Sequence, residues 1–103
     1  PGDPGVGRAL SSLGALYMVT RRPAQAEPLL REAHALTLAA SGPDSLATAS
    51  AAIDLAIAER ALGRRREAIP LLASGLATRR RRLPPGDARV VHVEQLLAEL
   101  GGA

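Results

Sequence analysis

Cysteine, phenylalanine and tryptophan are absent from this 103-residue chain, and Tyr17 is its one aromatic residue. Lysine and asparagine are missing too. Without Cys there is no disulfide framework, no thiolate zinc site and no thiol nucleophile. Without Phe or Trp there is no aromatic platform of the kind on which nucleic-acid bases stack. A β-sandwich core built from aromatic and β-branched residues is not expected either. No apolar run approaches the ~20 residues that span a bilayer, and no charged-then-apolar leader is visible. A cytoplasmic protein that does not enter the membrane is expected. The first residue is Pro1, not Met, which reads as a fragment or a processed piece.

What is present is plentiful but narrow. Hydrophobic residues make up 47% of the chain and charged residues 22%, too apolar for a disordered segment. Alanine (21) and leucine (17) dominate, a composition that suits helices packed closely. All 13 basic residues are Arg, giving a net charge of +3 and a pI near 11.0. The length bounds the chain to one domain, residues 1–103.

The chain repeats itself at a spacing of 42 residues. At this shift Leu13 falls on Leu55, Arg22 on Arg64, Ala26 on Ala68, and Pro28-Leu29-Leu30 on Pro70-Leu71-Leu72. A second shift brings Leu97 under Leu55 and Ala98 under Ala56. The connecting stretches Ser41-Gly42-Pro43-Asp44 and Leu83-Pro84-Pro85-Gly86-Asp87 echo each other as well. A fixed period of this length is the signature of a repeat array.

Each unit holds two helical stretches. Ala9, Leu10, Leu13, Leu16 and Tyr17 have helical spacing and predict a helix from about Val6 to Val19. Pro23 fits the first position of the next helix, which runs to about Ala40, with Pro28 expected to bend it slightly. Gly42 is available for the left-handed cap. In the second unit, Asp44 or Ser45 caps a helix to about Leu62. The following helix runs from about Arg65 to Arg82 and stops before Pro84-Pro85. A fifth helix starts behind Asp87 and runs to about Leu100. No segment alternates with period two, so no strand is expected.

The wording of these units resembles the tetratricopeptide repeat, in its longer 42-residue form found in kinesin light chains and many bacterial signalling proteins. Ala9-Leu10-Ser11-Ser12-Leu13-Gly14-Ala15-Leu16-Tyr17 and Ala26-Glu27-Pro28-Leu29-Leu30 carry the resemblance, with the two connecting loops. It implies an all-α, right-handed α-solenoid of two helical hairpins and a C-terminal capping helix. The first repeat covers about 5–41, the second about 44–83, and a partial repeat or capping helix about 87–100. Small residues (Gly14, Ala56, Ala98, and across from them Ala26 and Ala68) let the helices of a hairpin approach. Glu59 stands where Tyr17 stands and Gly75 where Ala33 stands. The second hairpin is therefore expected to be the looser one, since Gly in a helix costs about 1 kcal/mol relative to Ala.

Catalytic, metal-binding and cofactor-binding residues are not found. His34 and His92 have no acidic partner at helical spacing. No nucleophile elbow surrounds the serines, and no phosphate loop follows Gly2–Gly7. Glu27 and Arg31 read as a supporting surface pair, and Asp44 and Asp87 as helix caps. Arg79–Arg82 close a helix, where positive charge is favourable, which is a sufficient structural reason for the run.

The resemblance implies a non-catalytic scaffold that binds a peptide or partner protein on the concave face lined by the first helices. In this register the candidates are Ser11, Ser12, Ala15, Met18, Ile53, Asp54, Ile57, Arg60, Gln95 and Glu99. Some family members clamp a peptide carboxylate with Lys, Asn and Arg; here those positions hold Ser11, Ala15, Asp54, His92 and Leu96, so that clamp is missing. Ile53 and Ile57 either form an apolar strip for a ligand or pack against the neighbouring hairpin. The alternative function is a self-assembling module or spacer, pairing as a homo-oligomer through exposed end hairpins within a larger bacterial signalling or regulatory protein. A nucleic-acid partner is the weakest reading, for want of a motif or aromatic platform.

Overall fold

The computed structural model describes residues 4–101, leaving the side chain of Pro4 aside. Five helices follow in order: α1 (Pro4–Val19), α2 (Pro23–Ser41), α3 (Leu46–Ala61), α4 (Arg65–Arg82) and α5 (Ala88–Glu99). No strand occurs among the described residues. The helix starts keep the period of the sequence: α1, α3 and α5 begin 42 residues apart, as do α2 and α4. The architecture is all-α, two helical hairpins (α1–α2 and α3–α4) stacked in order with α5 laid on the last.

The turns inside the two hairpins are one structure built twice. In the first, the Arg22 N–H donates to the Tyr17 carbonyl (2.7 Å) and the Arg21 N–H to Met18 (3.1 Å). In the second, Arg64 donates to Glu59 (2.8 Å) and Gly63 to Arg60 (3.0 Å). This pattern needs one residue in the left-handed region. Gly63 supplies it at φ 76° and Arg21 at φ 61°. Both second helices continue past a proline, Pro28 or Pro70.

Of the two expected acidic caps, one is formed. Asp87 accepts a hydrogen bond from the Arg89 N–H (2.9 Å) at the start of α5. At α3 the cap is Ser45, whose Oγ accepts from the Thr48 N–H (3.0 Å). Asp44 is drawn elsewhere: Arg81 (2.5 Å) and Arg82 (3.3 Å) at the end of α4 clasp its carboxylate. These guanidinium hydrogen bonds, Arg81's foremost, hold the Asp44 carboxyl below its usual range.

The core divides into two clusters. The larger joins Ile53, Ala56, Ala68, Leu72 and Leu76 of the second hairpin to Val90, Val93, Leu96 and Leu97 of α5. The smaller joins Ala26 and Leu30 to Leu55 and Ala58, with Tyr17 and Met18 packed on it. The expectation of a looser second hairpin is therefore corrected. That hairpin lies between α2 and α5 and holds the greater share of the apolar core. Gly75 is not a gap, because Ile53 fills the space beside it; a Cβ there would stand 2.7 Å from Ile53 Cγ1.

The joint between the hairpins is charged. Glu59, in Tyr17's register, is buried, and so is Glu27. Arg64 bonds Glu59 (3.2 Å) and lies 3.8 Å from Glu27, while Arg31 pairs with Glu27 and lies 3.8 Å from Glu59. Glu27–Arg31 is thus half of a four-residue network in which the two carboxylates are buried and the two arginines reach them from the surface, and not the isolated surface pair expected from its spacing. Burial first, and the neighbouring Glu27 second, push the Glu59 carboxyl up; Arg64 and Arg31 oppose the rise.

Candidate partner-binding cleft

A cleft of about 460 Å³ opens between the N-terminal halves of α1 and α3, with the C-terminal half of α2 as its floor. Leu36 and Ala40 of α2, with Ala47 and Ala51 of α3, give it an apolar surface; Arg8, Ser11, Thr37, Ser41, Ser50 and Asp54 ring it with polar groups. Small side chains create the opening. Gly7 of α1 is buried, and a Cβ there would meet Thr37 Oγ1 at 3.6 Å, an ordinary contact. The Arg8 side chain makes no ion pair among the described residues, whereas most arginines of the molecule do.

Asp54 stands on the cleft wall. Its surface is open to solvent, but the protein crowded around it raises its carboxyl above the usual value, with Arg79 opposing. Arg79 lies 42 residues beyond Thr37 and takes the corresponding place between α3 and α5. There it donates to Ser50 Oγ (3.3 Å) and to the Arg89 carbonyl (3.1 Å). The first inter-helix position is thus open over a threonine, and the second is occupied by an arginine side chain.

The ten sequence candidates separate on this geometry. Ser11 and Asp54 are brought together in the cleft. Ser12 and Ala15 are exposed on α1, and Gln95 is exposed on α5. Met18 is half-buried against the smaller core cluster. Arg60 and Glu99 pair with each other at 2.8 Å, bridging α3 to α5. Ile53 is corrected: it is 2% exposed and packed into the core, so it presents nothing to a ligand. Ile57 is only partly buried but also rests on that core cluster. Of the two readings left open for this pair, Ile53 follows the packing one, since it lies against Gly75 of α4.

Reading only the first helices missed Leu36, Thr37, Ala40 and Ser41, which come from a second helix, and Arg8, Ala47, Ser50 and Ala51 beside them. The 42-residue register held one signal: Thr37 and Arg79 differ sharply in size at an equivalent place. The arginine run is taken up within the fold: beyond Arg79, Arg80 pairs with Glu94 (2.7 Å) and Arg81 and Arg82 with Asp44. No group of His, Asp and Glu among the described residues is arranged to hold a metal. No helix among them is long and apolar enough to cross a membrane.

Stacked helical hairpins of fixed period, with a cleft between successive first helices, define a helical-repeat protein. Compared with protein families, residues 5–81 match the tetratricopeptide repeat. The chain belongs to the tetratricopeptide repeat family. Repeats of this family are in general protein–protein interaction modules and non-catalytic scaffolds. No curated protein matches the chain.

Proposed function

We propose that this protein is a non-catalytic interaction scaffold that takes a peptide, or a segment of a partner protein, in the cleft between α1 and α3. The units that build it are a first repeat at about 5–41, a second at about 44–83, and a closing helix at about 87–100. The observation that carries the reading is the cleft: about 460 Å³, within the ~300–1,000 Å³ usual for binding clefts, and floored by Leu36 and Ala40. Its alanine-lined walls suit small or medium apolar side chains. Ser11 and Ser50 offer hydroxyls to the ligand backbone, while Arg8 and Asp54 set one charge of each sign on the rim.

The test is selection of a random-peptide display library on the purified chain and on an Ala47→Trp variant. Ala47 is exposed and lines the cleft, so tryptophan there obstructs the opening without entering the core. Peptides are expected to be enriched on the native chain and to lose at least about tenfold in affinity on the variant, since the added ring displaces them from the floor. Enrichment indifferent to Ala47→Trp, or no enrichment at all, overturns the reading.

A further inference from the structure

The first helix of each unit carries the same four-position stripe, spaced three, four and three residues apart. It reads Val6, Ala9, Leu13, Leu16 on α1; Thr48, Ala51, Leu55, Ala58 on α3; and Val90, Val93, Leu97 on α5 with Leu100 at its C-terminal cap. On α3 the stripe faces α2. Leu55 and Ala58 pack with Ala26 and Leu30, and Thr48 Oγ1 donates to the Gly42 carbonyl at 2.6 Å. On α5 it faces α4, where Val90, Val93 and Leu97 pack with Ala68, Leu72 and Leu76. Two of the three stripes are therefore covered by the second helix of the preceding hairpin. Leu55 is 5% exposed and Ala58 0%, whereas on α1 Val6 is 48% exposed, Leu13 41% and Leu16 56%. Large apolar residues in a contiguous exposed row mark an interaction surface.

We infer that the outer face of α1 is a docking surface for the second helix of a further tetratricopeptide hairpin, packed as α2 packs on α3 and α4 on α5. The molecule itself supplies the argument, since the same stripe meets the same kind of helix twice. The occupant carries the pattern of the helices that do the covering: an alanine with a leucine four residues on, as in Ala26 and Leu30 or Ala68 and Leu72. A second copy of this chain does not fit, because its α2 and α4 already spend that face on α3 and α5. The other end of the stack is not equivalent. The α5 residues in register with the buried Ala52 and Ile53 of α3 are Glu94 and Gln95, which suit water and not another helix.

The probe is a synthetic peptide of residues 64–83, the sequence that covers the α5 stripe, titrated onto the intact chain by fluorescence anisotropy. Saturable binding is expected, weakened at least about tenfold by Leu13→Glu or Leu16→Glu, each of which would place an unpaired charge in the contact. Leu72→Glu in the peptide should weaken it equally. Val19→Glu, off the stripe, should leave it unchanged, and circular dichroism of the three chain variants should match the parent. Three results overturn the inference: no saturable binding, binding indifferent to both stripe variants, or a concentration-dependent dimer in sedimentation that Leu13→Glu abolishes. The last would assign the face to a second copy. Peptide selection on the Ala47→Trp variant reads the cleft and does not touch this face, so the two proposals fail separately.

Discussion

Each hairpin has its tightest helix contact at a glycine, which lies on the first helix in the first hairpin and on the second helix in the second. In α1–α2 the close approach is at Gly14, where a Cβ would stand 2.6 Å from Leu30 Cδ2. In α3–α4 it is at Gly75, under Ile53, and Gly14's counterpart has become Ala56. The residues in register with Ile53 and Gly75 are Ser11 and Ala33: one position has gained volume where the other has lost it. The α-helical backbone tolerates this trade because helix–helix distance is set by the side chains at the contact. The second hairpin, with isoleucine at that contact and α5 on its far side, has the larger core. The first, with serine, has a cleft instead. A glycine that reads as a weak point in the helix is, in the packed pair, the space an isoleucine needs.

That comparison breaks most visibly at Ile53 and Gly75. Ile53→Ala should cost about 2–5 kcal/mol, the usual range for emptying a packed core site. Gly75→Ala alone should destabilise by overpacking, ~1–3 kcal/mol, of which roughly 1 kcal/mol is returned by better helix propensity. In the Ile53→Ala background the same Gly75→Ala change should reverse sign and raise stability, because the added methyl enters the vacated space. Urea unfolding of the four proteins measures the coupling. An equal cost of Gly75→Ala in both backgrounds would show that Ile53 does not define the space.

A smaller effect sharpens the comparison at the turns. Arg21 and Gly63 hold equivalent left-handed positions with the same hydrogen bonds, and only glycine occupies that region without steric cost. Arg21→Gly should therefore stabilise the protein by about 1 kcal/mol, and Gly63→Arg should destabilise it by a similar amount. For a chain of this size the midpoints of thermal unfolding should move in opposite directions, by roughly 4–8 °C per kcal/mol. Two shifts of the same sign would mean that the turns are not alike.

The helices were legible because their punctuation is local. Pro23, Gly63 and the Pro84-Pro85 pair mark breaks whatever surrounds them, and the 42-residue period aligned the rest. Partnerships set at a distance were not legible. Asp44 and Ser45 are adjacent and equally competent caps, and Arg81 and Arg82, 37 and 38 residues on, decide that Asp44 bonds elsewhere. Ile53 and Asp54 lie side by side on one helix, and only the position of α4 buries the first and leaves the second on the cleft wall. The cleft floor was hidden for the same reason, since Leu36 and Ala40 look like ordinary apolar positions of α2 until α1 and α3 separate above them.

Tyr17 and Glu59 are the last pair, and here the comparison becomes a matter of pH. Tyr17 packs on the smaller core cluster, while Glu59 is buried in the joint beside a second carboxylate. The Glu59 carboxyl sits above its ordinary 4.5 in the folded protein, through burial and then repulsion from Glu27. The folded chain therefore holds this proton more tightly than the unfolded chain does. Near and below 4.5 the group does not penalise folding. As pH rises from there through the raised folded value, the unfolded state releases the proton more readily, and stability is lost. Glu59→Gln keeps an acceptor for the Arg64 guanidinium and removes the titration. The variant should thus gain on the parent between pH 4 and pH 7, as measured by urea unfolding at both values. If the parent instead gains on the variant over that range, the attraction of Arg31 and Arg64 outweighs burial, and Glu59 acts as a paired anion rather than as a buried acid in an aromatic residue's place.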